Sequence, residues 1–369
     1  MMPITAAEDL MPMMSHIVTR FFPSQSVESC VTYGRGHINK TYLITVASGK
    51  RYILQKINTH IFKDVEKLMD NVTKIIHHLD QKTDDPRCVL HLVHTLDGQP
   101  YAKLEDGSVW RAFDFVEHSV CLQAPETPSD FYESAVAFGR FQEMLKDFPA
   151  GQLHETIPNF HHTPDRYRIF REVLAADPMG RAQDVQEEIA FVLAREQEAD
   201  TLVRMLEEGT LPLRVTHNDT KLNNVMLDAD THKALCVIDL DTVMPGLSLY
   251  DFGDSIRFGA ATAAEDEQDL SKVSMDLELF ETYTHGFLHA CPGLTEEERR
   301  MLPMGAKLMT LECGLRFLTD HLDGDNYFSI QRENQNLDRA RTQFKMVADM
   351  EKKWAEMEAI VHHLCLTNP

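Results

Sequence analysis

The stretch Val215-Thr216-His217-Asn218-Asp219-Thr220-Lys221-Leu222-Asn223-Asn224 contains an H-x-D-x-x-x-x-N pattern. In phosphoryl-transfer loops of this spacing the Asp orients a substrate hydroxyl and the Asn holds Mg²⁺. Two short apolar runs follow, 225–227 and 235–239, separated by Asp228-Ala229-Asp230-Thr231-His232-Lys233. They read as a strand-turn-strand unit. Antiparallel pairing would return Asp239 close to Asn224, so that a carboxylate and an amide oxygen share one hard cation and leave its other positions to phosphate and water. The plainer readings, a solvated loop carboxylate for Asp219 and an Asx turn for Asn224, require the spacing, the hairpin and the apolar run before Asp239 to coincide. His217 reads as a backbone brace. Asp251-Phe252-Gly253 spells a kinase D-F-G but follows a Pro245-Gly246 loop, so Asp239 is the better metal ligand. Asp251 and Asp254 read as anchors of loop backbone or partners of Arg257. Asp241 shares a side with Asp239 if the strand persists.

These residues need a scaffold. Residues 9–22 place apolar side chains at helical spacing. Period two then takes over in 30–34, 41–46 and 51–57, a helical pattern follows over 61–79, and strands resume at 89–95, 101–104 and 108–116 around two Asp-Gly turns. This predicts a small α+β lobe over residues 1–118. Beyond it, helical patterns at 129–146, 165–176, 184–207, 265–289, 296–322 and 334–365 predict a mainly helical lobe over 119–369. In the small lobe, Tyr33-Gly34-Arg35-Gly36-His37-Ile38-Asn39 joins the first two strands, and Gly34, Gly36 and Asn39 could let backbone N–H groups approach phosphates. A kinase also needs a lysine on its third strand. In Tyr52-Ile53-Leu54-Gln55-Lys56-Ile57 the period puts Gln55 on the face of Ile53 and Lys56 on the opposite one. Glu66, on the next helix, is the candidate partner for whichever cation serves, set against the plainer reading of an ordinary helix-surface glutamate.

Composition excludes several classes. The 369 residues carry 36 basic and 58 acidic side chains, a formal charge of −22, which repels nucleic acid and anionic lipid. No run approaches the ~18 apolar residues of a membrane helix, and Glu8 and Asp9 replace the basic start of an export signal. Seven scattered cysteines without C-x-x-C spacing suit reduced thiols in a cytoplasm. His285 and His289 stand four apart without the glutamate or third ligand of a zinc site. Nothing in the sequence bears on the oligomeric state.

The run VTHNDTKLNNVMLDADTHKALCVIDLDTVMPG, followed by LYDFGDSIRFGA, resembles the aminoglycoside-phosphotransferase-like kinase superfamily, and within it the members that phosphorylate N-acetylhexosamines. The likeness extends to YGRGHINKTYLI, RYILQKINTHIF, WRAFDFVEHSV and ECGLRFLTDHLDGDNYF. It implies a bilobal protein-kinase-like fold, α+β, with a small antiparallel-sheet N-lobe and a mainly helical C-lobe. It also implies phosphorylation of the anomeric 1-hydroxyl of N-acetylglucosamine or N-acetylgalactosamine with ATP and Mg²⁺ as cofactors. Carried onto this chain, Asp219 is the catalytic base and Asn224 and Asp239 are the metal ligands. Phe115, Val116 and Glu117 hold the adenine, and His37, Arg316 and Tyr327 join Asp219 around the sugar. Gln55 departs from the pattern, because the superfamily usually places a cation there. Kinases acting on choline, homoserine, methylthioribose or an aminoglycoside share these motifs, and a nucleotide-binding regulator without transfer would account for Gln55. A protein kinase is disfavoured, since no A-P-E signature follows Asp239.

Overall fold

Alternating apolar and polar residues between tight turns build the first part of the chain. The computed structural model describes residues 11–22, 25–34 and 38–367, and the chain divides into two units, Met1–Ser119 and Val120–Pro369. In the first, α1 (Met11–Phe21) precedes β1 (Val27–Thr32), β2 (Lys40–Val46) and β3 (Arg51–Ile57), followed by α2 (Val65–Asp80), β4 (Leu92–Val93), β5 (Ala102–Lys103) and β6 (Val109–Asp114). The strands form one antiparallel sheet in the order β1-β2-β3-β6-β4, with β5 also paired to β6. Left-handed Gly49, Gly98 and Gly107 make its turns, as the glycines of tight hairpins do.

Register decides what each face of this sheet carries. Cys30, Ile44, Tyr52, Leu54, Trp110 and Ala112 join Ile17, Val18, Phe21 and Phe22 in one apolar core, so one face packs on α1. The other carries Thr41, Gln55 and Arg111 as cross-strand neighbours. Lys56 lies on the α1 face with its amine 5.7 Å from the Trp110 ring centre. Asp64 caps α2 by accepting from Lys67 N at 3.1 Å.

β7 (Ser119–Val120) stands at the division. The second unit runs α3 (Pro128–Met144), α4 (Thr163–Ala176), α5 (Gln186–Leu193), α6 (Thr201–Glu207), β8 (Arg214–Thr216), β9 (Val225–Asp228), β10 (Ala234–Val237) and β11 (Met244–Gly246). It ends in α7 (Ser248–Gly259), α8 (Leu277–Ala290), α9 (Glu296–Arg300), α10 (Leu302–Asp323), α11 (Gln335–Lys352) and α12 (Trp354–Thr367). The architecture is the expected one: antiparallel sheet in the N-terminal part, helices in the C-terminal part. No helix among the described residues is long and apolar enough to cross a membrane.

Several elements differ from the sequence reading. The pattern over 184–207 is two helices separated by a 3₁₀ turn at Glu196–Glu198. The pattern over 265–289 becomes helix only at Leu277, where Asp276 caps α8 by accepting from Leu279 N. Before it, Thr262 Oγ1 donates to Lys272 O and accepts from Ser274 N, and Asp269 Oδ1 accepts from Ser271 N, side-chain bonds to backbone that compete with helix formation. The strands at 89–95 and 101–104 shrink to two residues each. One helix was missed: α7 is buried over nearly its whole circumference, so it has no polar stripe to betray its period.

α7 reaches that burial by crossing α10 at two glycines. A Cβ on Gly253 would stand 2.3 Å from Gly305 O and 2.7 Å from Met309 Cγ, and one on Gly305 would stand 2.8 Å from Leu249 O. Gly253→Ala is therefore expected to destabilise the protein by about 1–3 kcal/mol or more, measured by chemical denaturation. A stability equal to wild type would contradict this close crossing.

Candidate active site

β8 and β11 pair, and the loop 217–221 leaves the end of β8. Its shape is imposed by α7. The Asp251 carboxylate is wholly buried and accepts from His217 N at 2.9 Å, from Asn218 N at 2.8 Å and from Gln142 Nε2 at 2.5 Å. Asp254 accepts from Thr220 N at 3.0 Å, and Thr220 Oγ1 donates to Asp251 O at 2.6 Å. Asn218 is left-handed (φ 65°) and spans Thr216 O and Thr242 O with its amide. Burial pushes the Asp251 carboxyl above the ordinary range against the pull of His217 and the two N–H donors. Burial acts likewise on Asp254, but Arg257, 3.0 Å away, and Lys221 outweigh it and hold its pKa down.

His217 meets the Phe138 and Phe141 rings edge to face. Its Nε2 stands 2.9 Å from Ile238 O, and its Nδ1 faces Asp219 N at 3.3 Å, which places the ring proton on Nε2. It braces backbone, as its sequence position suggests. The hairpin closes as its pattern predicts: Val225 pairs with Val237 and Ile238 N donates to Asn224 O at 2.9 Å, so Asn224 and Asp239 stand at the same end. Asn224 Nδ2 reaches Asp219 O at 2.8 Å and Asp219 Oδ2 at 3.0 Å. Asp239 is exposed and left-handed (φ 60°), a backbone state that Asp tolerates and that clusters at functional sites. The strand ends at Val237 and a 3₁₀ turn follows at Leu240–Thr242, so alternation does not carry Asp241 to the side of Asp239, and Asp241 is buried.

The Asp219 carboxylate and the Asn224 amide thus meet, and the hairpin brings the backbone of Asp239 to the same end. Among the described residues no three His, Cys, Asp or Glu side chains form a metal group. The donors of Asn224 and Asp239 are all oxygen. With Asn224 Nδ2 turned to Asp219, its Oδ1 is the amide's remaining acceptor, and this set fits a hard divalent ion that keeps water or phosphate as its other ligands. Lys221, inside the motif but not singled out from the sequence, meets Asp219 Oδ1 at 2.8 Å. Burial works against its charge, but Asp219 and Asp254 offset this and raise its pKa.

A second cluster adjoins this loop. His161 Nδ1 is 2.8 Å from Glu312 Oε1, and its Nε2 faces Asn218 O at 3.4 Å. Glu312 also accepts from Thr163 Oγ1 at 2.7 Å; burial would raise its pKa, but the bond from His161 lowers it. One turn further along α10, the Arg316 guanidinium stands beside the rings of Phe160, Tyr327 and Phe328, at 5.2, 5.6 and 5.4 Å. Asp320 holds the loop bearing Tyr327 and Phe328 through the N–H groups of Asn326, Tyr327 and Phe328. Arg316 and Tyr327, both proposed from the sequence, are therefore neighbours. His161, Glu312 and Asp320 were missed, because a His-His doublet and helix carboxylates carry no periodic signal.

In the first unit, Gly34 is left-handed (φ 75°), while Gly36 and His37 lie outside the described residues. Asn39 Oδ1 accepts from Asn58 N at 3.0 Å, tying β2 to the end of β3. Phe115 lies under the Arg51 guanidinium at 4.1 Å, Arg51 also pairs with Glu117, and Val116 O accepts from Ser119 Oγ at 2.7 Å. Glu66 is in the exposed first turn of α2.

The fold is that of known phosphotransferases. A microcompartment-associated aminopropanol kinase aligns over 94% of this chain and 98% of its own with TM-score 0.64 at 18% identity. An aminoglycoside phosphotransferase from Alicyclobacillus acidocaldarius aligns over 98% of both chains with TM-score 0.62 at 13% identity. An amicoumacin kinase in complex with AMP-PNP and Ca²⁺ aligns over 93% of both with TM-score 0.58 at 14% identity. The sequence model of the phosphotransferase enzyme family, APH, matches residues 29–283. The chain belongs to that family.

Two outcomes follow from the buried network. Asp251→Ala strands the N–H groups of His217 and Asn218 and should cost at least about 3 kcal/mol, read by chemical denaturation; a loss within error of zero would contradict the anchoring role. Glu312 has a folded pKa below its unfolded value near 4.5. Its contribution to stability is complete above that value and is lost as pH falls through the folded one. Glu312→Gln should flatten the acid limb of a stability-against-pH curve, and an unchanged limb would refute the assignment.

Proposed function

We infer that the protein is an N-acetylhexosamine 1-kinase, transferring the terminal phosphoryl group of ATP to the anomeric hydroxyl of N-acetylglucosamine or N-acetylgalactosamine. The observation that carries the reading is the contact of Asp219 with Asn224 beside the hairpin end that bears Asp239. Family membership supports phosphoryl transfer, and the long matched runs of the sequence support the sugar.

Asn224 and Asp239 would hold Mg²⁺, which when bound neutralises phosphate charge. Asp219 is bonded through Oδ1 to Lys221 and through Oδ2 to Asn224. Each carboxylate oxygen accepts more than one hydrogen bond, so it can still receive the sugar O1–H. O1 attacks the terminal phosphorus, the bond from that phosphorus to the ADP oxygen breaks, and the O1 proton passes to Asp219. The transition state is loose and the proton leaves late, so the loop's main task is to hold O1 in line. An anomeric hydroxyl is more acidic than an ordinary alcohol, and no strong base is required. Arg316 and Tyr327 would bind the sugar's oxygens.

An amino alcohol, the acceptor named for the aminopropanol kinase, is the nearest rival. Its ammonium would seek open aromatic faces. Here the three rings stand beside the chain's own Arg316, a cation that would repel an ammonium and favours a neutral polyol.

With N-acetylglucosamine and ATP, phosphorus NMR should report a sugar 1-phosphate and ADP. Asp219→Asn is expected to lower kcat about 10²–10⁴-fold while ATP affinity stays near wild type. Wild-type turnover in that variant would remove Asp219 from the chemistry. Product from aminopropanol but none from either amino sugar would overturn the acceptor.

A further inference from the structure

The kinase reading leaves one charge unaccounted for. A kinase grips the α- and β-phosphates with a lysine on its third strand, and the corresponding face of β3 here presents Gln55. Lys56 is on the other face, beside Trp110. The cation in register with Gln55 stands on the neighbouring strand: Arg111 of β6 is its cross-strand partner. Arg111 is only 1% exposed, so a phosphate oxygen does not reach it directly. Its Nε donates to Gln55 Oε1 at 3.0 Å, one guanidinium nitrogen meets Met69 Sδ of α2 at 3.9 Å, and the group lies 5.2 Å from the Phe113 ring centre.

Gln55 is half-buried and its amide is fixed from both ends. With Oε1 held by Arg111, Nε2 points the other way and donates one hydrogen to Thr41 Oγ1 at 3.1 Å. An amide nitrogen carries two hydrogens, and the second remains for a ligand. A donor polarised by a charge behind it is stronger, and a buried charge is screened less than an exposed one. We propose that this protein has moved its phosphate-directed cation from the third strand to the adjacent one, where buried Arg111 is a positioning residue that orients the Gln55 amide toward the nucleotide phosphates.

This rests on the kinase reading, and comparing ATP with adenosine separates the two. Calorimetric titration of the wild-type protein should show ATP binding more tightly than adenosine; a protein that binds no adenine nucleotide refutes the kinase reading itself. Arg111→Gln is expected to weaken ATP about tenfold or more while adenosine stays within about twofold. A purely structural arginine would lose both ligands in proportion, and that result, or an unchanged ratio, overturns the proposal. Gln55→Lys alone sets two cations side by side and should lower the melting temperature. Gln55→Lys combined with Arg111→Met returns the charge to the third strand and should recover both the melting temperature and the preference for ATP. A folded double variant that binds ATP no better than adenosine also overturns it. Should Arg111→Gln fail to fold, wild-type protein labelled with ¹⁵N-arginine carries the test: the Nε–H signal of Arg111, assigned by its absence in Arg111→Lys, should move with ADP and not with adenosine. A signal indifferent to both ends the proposal.

Discussion

The buried carboxylate of Asp251 is the constraint on which the loop at 217–221 depends. A wholly buried ionisable group is tolerated only when its neighbours satisfy it, and here the neighbours are the N–H groups of His217 and Asn218 together with Gln142. Those bonds force the loop back against α7 and hold Asn218 in a left-handed state. Asp254 repeats the arrangement one turn later through Thr220 N. The backbone on either side of Asp219 is thereby tied down, while Asp219 itself remains partly open.

A second layer of contacts aims the side chains. His217 links the loop to Ile238 O, and Ile238 N links the hairpin to Asn224 O, so loop and hairpin close on each other immediately before Asp239. From the other side, the buried His161–Glu312 pair joins Asn218 O to α10, the helix that carries Arg316 and, through Asp320, steadies Tyr327. The loop that bears Asp219 and the cluster around Arg316 are thus joined by one network of contacts. In the first unit the same logic operates on a sheet, where cross-strand register sets an arginine behind a glutamine.

Much of this was legible from residue order. Hairpin pairing carried Asp239 to Asn224 because strand and turn lengths leave little freedom, and period two separated Gln55 from Lys56 correctly. What escaped notice lay in buried segments. α7 has no polar stripe and its D-F-G letters resemble a different motif, whereas the anchoring role of Asp251 and Asp254 is already in the sequence reading. Asp241 lost its expected place because the strand stops at Val237 and Asp239 turns left-handed, an event that a period cannot register.

The chain's own order determined the class of element, the −22 charge, and the spacing of Asp219, Asn224 and Asp239, since these follow from local periodicity and covalent distance. Only the tertiary structure decided which charges meet. Asp251 with the loop, His161 with Glu312, and Arg111 with Gln55 are partners separated by 34, 151 and 56 positions, and such pairs are selected by packing, which no local pattern records.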